Sequence, residues 1–282
     1  MNKSLKIIIT SFVLFIIICI SLPSVLHVAG LHPEYNAENI NLSGKKALII
    51  ATNHGVLNKP GETEGKPTGL FLSELSIPYY DFKKSNIDID VASIKGGNIP
   101  LEPVPYFIQT SEDKKFKNDK YAMNKIQNSK PIQDLDFTEY DIIFISGGWG
   151  AAYDLGFSEL LGKKISEAYY SSNAIIGGVC HGVLGLIKAK DNNGNPLIAG
   201  RKMTGVTDKQ LEELGISFTP QHPEGELRKA GAIFQSETAF KDFFATLTVV
   251  DDEKRFVTGQ NQNSGHETAY KMMEILSTQQ EW

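Results

Sequence analysis

Cysteine is scarce in this chain, with two residues in 282, Cys19 and Cys180. That count excludes a disulfide scaffold, which needs several pairs, and a structural zinc centre of the multi-cysteine kind. An excess of basic charge is missing too. Lys and Arg number 28 against 33 Asp and Glu, a net of −5, so the footprint of a nucleic-acid binder is absent and no nucleic-acid partner is expected. The densest lysine run (Lys114, Lys115, Lys117, Lys120) is interleaved with Asp113 and Asp119 and reads as a solvated face. No internal repeat, low-complexity tract or second-domain boundary is visible. Gly147-Gly148-x-Gly150 is a poor dinucleotide fingerprint, because the spacing is wrong and no acidic ribose ligand follows a second strand. No cofactor or metal is expected from these patterns.

Charge is also absent from Ile7 to Leu26. Those twenty residues suffice to cross a hydrocarbon core of ~30 Å at ~1.5 Å per residue, and no polar face interrupts them. Lys3 and Lys6 precede the run, which predicts a cytoplasmic N-terminus and export of the remainder. Residues 1–30 therefore read as a signal anchor or signal peptide. Retention as a single-pass anchor through residues 7–26 is the first expectation. Cleavage near Val28-Ala29-Gly30, giving a secreted or periplasmic domain, is the second. Residues 31–44 read as a linker, and residues 45–282 as one domain. Without the first thirty residues the balance is 26 Lys+Arg against 33 Asp+Glu, or −7.

Within the domain, short apolar runs alternate with amphipathic stretches. Strands are expected at Lys46–Thr52, Ile87–Ile94, Tyr140–Ser146 and Ala174–Val179, with helices at Thr68–Phe82, Asp113–Gln127, Glu159–Tyr170 and His181–Lys190. Tyr79, Tyr80 and Phe82 are expected in the core. A hairpin from Phe244–Val250 to Arg255–Thr258 follows, and Ser264-x-x-Glu267 reads as a capping box opening a last helix. This alternation predicts βαβ units: a three-layer flavodoxin-like or Rossmann-like α/β sandwich around a mostly parallel sheet, with its ligand site at the strands' carboxyl ends.

The most informative residues are Gly178-Val179-Cys180-His181-Gly182. An apolar strand precedes them and a helical stretch follows, the pattern of a nucleophile elbow carrying Cys in place of Ser. The sharp turn requires small neighbours two residues either side. The helix N-terminus aims backbone N–H groups at the sulfur, an arrangement expected to lower the thiol pKa.

This elbow resembles that of the ThiJ/PfpI family, within the class I glutamine amidotransferase-like superfamily. Agreement continues through Gly65–Glu74, Ser146-Gly147-Gly148-Trp149-Gly150, Pro196–Gly200, Thr204–Asp208 and Val257–Asn261. The branch it resembles most is described as glutathione-independent glyoxalase (glyoxalase III) and holding chaperone. The resemblance implies Cys180 as nucleophile, Glu74 as its carboxyl partner and His181 as auxiliary acid or base. It implies further that Asp208 orients His181, and that the Gly148 and His181 N–H groups form an oxyanion hole. The implied reaction converts methylglyoxal or a related 2-oxoaldehyde to a 2-hydroxy acid without a cofactor, and dimers are common in the family. The chain departs from the branch at Trp149, where His is usual, at Val183 and Gln262, where Pro is common, and in its export segment.

Other readings compete. His222-Pro223-Glu224 has the spacing of an amidotransferase dyad, but lies close behind the cysteine, and Pro223 is placed to start a helix at its first position. A thiol climbing the sulfenic–sulfinic ladder would suit an oxidation sensor or a holding chaperone in the cell envelope. His54 reads as a solvated loop residue, His266-Glu267 as a surface pair, and Trp149 as either a pocket wall or packing.

Overall fold

The computed structural model describes residues 3–36 and 38–279. Ala37 of the expected linker, residues 1–2 and residues 280–282 lie outside that description. Seven strands form the main sheet: β1 (Lys46–Ala51), β2 (Asp88–Ser93), β3 (Lys130–Pro131), β4 (Ile142–Ile145), β5 (Ile175–Val179), β6 (Thr248–Val250) and β7 (Phe256–Gly259). Their order is β6-β7-β5-β4-β1-β2-β3, and every pair is parallel except β6 with β7. The chain leaves β1 to build β2 and β3 on one side, then crosses to build β4, β5 and β7 on the other. That reversal opens a crevice at the carboxyl ends of β1 and β4, the standard place for a ligand.

Period-two alternation in the central strands accounts for the layers. Ala47, Ile49 and Ala51 of β1 face one core with Phe144, while Leu48 and Ile50 face the other with Ile143 and Ile145. The first core is covered by α2 (Ser73–Lys84), α3 (Ser111–Asn118), α4 (Lys120–Gln127) and, in chain order, the last helix at Gly265–Thr278. Tyr79, Tyr80 and Phe82 are buried in it, as expected. The second core is covered by α5 (Glu159–Ser171) and the segment after Cys180. The expected α/β sandwich with its mostly parallel sheet is present. So is an apolar N-terminal helix, α1 (Lys3–Val28), long enough to cross a membrane and with none of its residues buried.

Several local expectations are corrected. The helix expected from Thr68 starts at Ser73, because Leu70 is first held in a β-bridge to Leu101. The helix expected over Asp113–Gln127 is broken at Asp119, whose carboxylate caps the second half through the N–H groups of Tyr121 and Ala122. The stretch expected as an α-helix from His181 is a 3₁₀ helix, Cys180–Leu186. Ser264 does not form the expected capping box, since its hydroxyl donates to Leu247 O at 2.9 Å instead. Residues 31–44 hold no helix or strand among those described, yet they are docked. Leu31 and Leu42 are buried, and Asn263 takes the His32 N–H at 2.8 Å and donates to Gly30 O at 3.0 Å.

The G-x-C-x-G spacing has a simple origin in packing. A Cβ on Gly178 and a Cβ on Gly182 would each lie 2.1 Å from the same atom, Ile145 O at the end of β4. Both flanks of the elbow press on one carbonyl, so neither tolerates a side chain. Gly182→Ala is expected to cost about 3 kcal/mol in urea unfolding. Gly225→Ala, in the helix Pro223–Lys229 where nothing lies within 4 Å of the added carbon, is expected to stabilise by about 0.5 kcal/mol.

Candidate active site

Cys180 is the first residue beyond β5 and has φ +57°, one of four described non-glycine residues with positive φ. Such a conformation costs a side-chain-bearing residue about 1–2 kcal/mol, and the surrounding packing must impose it. Val179 before it is fully extended at φ −129°, ψ 156°. The chain therefore reverses at the cysteine and stands its sulfur over the end of the sheet.

Glu74 comes from the first turn of α2, which packs on the same sheet end. Its carboxyl is fully buried, acts on the neighbouring Cys180 thiol, and takes the Gly147 N–H on Oε2 at 2.9 Å. Its main-chain carbonyl accepts the Ser146 hydroxyl at 2.9 Å. Two bonds thus tie α2 to the β4 loop and fix the acid against the sulfur. The N–H groups of His181 and Gly148 lie near that sulfur and favour its charged form. Gly148 has φ +94°, and a Cβ there would fall 2.3 Å from Phe71 N, so only glycine can bring its N–H inward.

His181 places Nδ1 3.4 Å from the sulfur. Its Nε2 is buried and has no hydrogen-bond partner among the described residues. Trp149 packs its ring 4.9 Å from the His181 ring and lines the cavity, so it is both packing and wall. The cavity over Cys180 measures about 40 Å³.

The electrostatics reverse one expectation. Burial pushes the Glu74 carboxyl up from 4.5 to about 8, despite the neighbouring Cys180 thiol and the bond from Gly147. The expected depression of the thiol does not occur in this resting arrangement: burial first, and then the neighbouring Glu74 charge, push the Cys180 thiol up, outweighing the N–H groups of His181 and Gly148. The enclosed site disfavours two adjacent anions, so below pH 8 the acid keeps a proton and stands as its donor to the sulfur. Burial also lowers His181 to about 3, leaving a neutral imidazole at physiological pH.

Asp208 corrects a second expectation, because it does not orient His181. Its carboxylate is half-exposed and lies 3.5 Å from His222 Nδ1. Thr207 caps the helix Asp208–Glu213, which sets residue 208 on the outside of the first turn and buries Gln210 instead. The same contact removes the amidotransferase dyad: His222 bonds to Ser217 O at 3.0 Å and faces Asp208, while Glu224 pairs with Arg228 at 2.9 Å. Pro223 starts its helix at the first turn, as expected. His54 is not merely solvated; its ring stacks 4.2 Å from Tyr153 and bonds to Val56 O. His266 is not a surface residue but half-buried against Asp81, Nδ1 to Oδ2 2.8 Å.

Three residues near the sulfur, Gln210, Phe243 and Glu102, carry no signal in the sequence, and Gln262 is marked there only as a departure from the family branch. Gln210, Phe243 and Gln262 line the cavity. Glu102 accepts the Thr68 hydroxyl at 2.9 Å, lies 3.5 Å from Trp149 N, and is pushed by burial up to about 7. Gln210 sits in the short helix Asp208–Glu213, Phe243 and Gln262 in 3₁₀ turns and Glu102 in a loop, and no periodicity or motif marks any of them.

A family model described as the DJ-1/PfpI family matches residues 68–275. "Glyoxalase 3" of Candida albicans is 33% identical over 232 residues, covering 79% of this chain and 95% of that protein. "Glutathione-independent glyoxalase HSP31" of Saccharomyces cerevisiae is 27% identical over 246 residues, covering 83% and 99%. Among solved structures, the Rapid Encystment Protein 24 kDa of Francisella tularensis superposes with a TM-score of 0.73 at 32% identity, covering 82% of this chain and 99% of that one. Glyoxalase III of Candida albicans superposes with a TM-score of 0.72 at 28% identity, covering 82% and 97%.

Replacing the buried acid separates its roles. The folded protein holds the Glu74 proton up to about pH 8, whereas the unfolded chain releases it near 4.5. The acid therefore erodes stability as pH rises between those values. Glu74→Gln is expected to raise unfolding free energy at pH 8 by up to about 5 kcal/mol. The gain should disappear below pH 4.5, as read by urea melts across pH, and catalysis should be lost.

Proposed function

The chain belongs to the DJ-1/PfpI family, and on that premise we propose that it is a glutathione-independent glyoxalase converting a 2-oxoaldehyde such as methylglyoxal to the 2-hydroxy acid. The observation that carries this reading is a carboxyl held by Gly147 against the sulfur of a strained elbow cysteine. One acid beside one thiol suits a reaction that moves a proton between two adjacent carbons.

Neutral His181, its Nδ1 3.4 Å from the sulfur, takes the thiol proton as the Cys180 sulfur adds to the aldehyde carbon, and the Glu74 proton passes to the aldehyde oxygen, giving a hemithioacetal. The Gly148 and His181 N–H groups are placed to stabilise charge developing on that oxygen. Glu74, now a carboxylate, removes the hydrogen from the former aldehyde carbon while the proton held by His181 passes to the ketone oxygen, giving an enediol. Glu74 returns its proton to the neighbouring carbon and takes the proton of the hydroxyl on the sulfur-bearing carbon, which leaves a 2-hydroxy thioester on Cys180 and a neutral His181. Water then cleaves the thioester, with neutral His181 as base, and releases the 2-hydroxy acid and the thiol. Overall, one water is added; the aldehyde carbon is oxidised and the ketone carbon reduced within the same molecule, so no external oxidant or reductant is required. These residue roles are supported by the distances around the sulfur and by the small cavity, which suits a substrate of a few non-hydrogen atoms.

The N-terminal helix supports a place at the membrane. Lys3–Val28 is apolar and unburied, with basic residues at its start, so we read it as an anchor holding the domain outside the cytoplasm. The expected outcome is a membrane-fraction protein of 31.1 kDa that resists carbonate extraction. A smaller soluble product would show cleavage instead.

Methylglyoxal supplied to the purified protein is expected to yield lactate, and Cys180→Ala to lower kcat at least about 1000-fold. Equal lactate production by wild type and Cys180→Ala would remove the proposal.

A further inference from the structure

The cavity over Cys180 does not end the accessible space. In the measure in which one water needs about 10–15 Å³, its 40 Å³ holds about three waters. Leu214 lines that cavity and also lines a second, open groove of about 710 Å³. The groove runs between the two-stranded turn Val56–Leu57/Lys66–Pro67 and residues 214–218. Glu102 lies along it and reaches back towards Trp149, the wall of the small cavity. The two spaces thus adjoin at Leu214, which lines both.

The groove's chemistry is apolar. Leu57, Pro67, Pro103, Leu214, Ile216 and Phe218 form its walls. Lys59 and Lys66 at the turn are offset by Glu62 and Glu64, so no field of one sign selects a charged ligand. A 2-oxoaldehyde bound at Cys180 has its two reacting carbons enclosed, and only the substituent on the ketone carbon can extend. With about 40 Å³ at the sulfur, a substituent larger than methyl needs further room, and the groove across Leu214 is the adjoining space.

We propose that this groove is a subsite for the apolar substituent of the substrate, so that alkyl- and aryl-substituted 2-oxoaldehydes are better substrates than methylglyoxal. The inference rests on the glyoxalase reading and names the substrate class within it. Apolar contact with the groove contributes binding that a methyl group cannot reach.

The test is steady-state turnover of methylglyoxal to lactate and phenylglyoxal to mandelate by the full-length protein. Wild type is expected to show a KM for phenylglyoxal at least about tenfold below that for methylglyoxal. Phe218→Ala is expected to lower the ratio of kcat/KM, phenylglyoxal over methylglyoxal, about tenfold. Leu57→Ala, on the opposite wall, reads the same ratio should Phe218→Ala fold poorly. Turnover of both aldehydes with a ratio unchanged in both variants would overturn the subsite and leave the glyoxalase reading intact. Turnover of neither aldehyde by wild type would overturn the glyoxalase reading itself, and the subsite with it.

Discussion

A carboxyl and a thiol buried together cannot both carry charge, and this constraint organises the site. Glu74 is buried beside the sulfur and accepts one backbone N–H, that of Gly147. Bulk solvent is not available to stabilise a second anion there. The proton that the acid retains is therefore directed at Cys180 and is available to whatever adds to the sulfur. Its departure leaves a base at the same spot. A single group can then deliver a proton to oxygen and collect one from carbon, which a proton transfer between adjacent atoms requires. The neutral His181 adds a base that does not compete for charge.

Holding that pair requires rigidity from several directions. The carbonyl of Ile145 is approached by both glycines of the elbow, so β4, β5 and the 3₁₀ segment pack against one another without clearance. The next residues of the β4 loop bind Glu74 twice, through the Ser146 hydroxyl and the Gly147 N–H. Gly148 turns through positive φ to aim its own N–H at the sulfur. One strand-end loop thus positions the acid and the N–H donor together. The positive φ of Cys180 is sustained because its neighbours leave no alternative path for the chain.

Much of this was legible because it is local. Alternating and continuous apolar runs identify β1, β2, β4 and β5. The small–x–Cys–x–small pattern after an apolar run places the elbow at Cys180. Glu74 was legible only through its resemblance to a family segment, since nothing local separates it from a surface helix residue. The misreadings share a cause. Asp208 has suitable spacing from Cys180, but Thr207 caps its helix and turns the carboxylate outward. Ser264 has suitable spacing for a capping box, but Leu247 O lies closer. Spacing along the chain constrains such contacts only within one element; between elements, packing chooses the partner.

The amino-acid sequence alone determined the sandwich, the apolar leader, the bent strand-to-helix junction and the identity of its sulfur. These follow from hydrophobic periodicity and the steric needs of a tight turn, which act over a few residues. Tertiary structure alone decided which groups surround that sulfur and in what protonation state. Glu102, Gln210, Phe243 and Gln262 arrive from segments without pattern. The high pKa of Glu74 and the raised thiol come from burial. Exclusion of water belongs to the assembled fold, because it depends on every layer that covers the site and on no single stretch of chain.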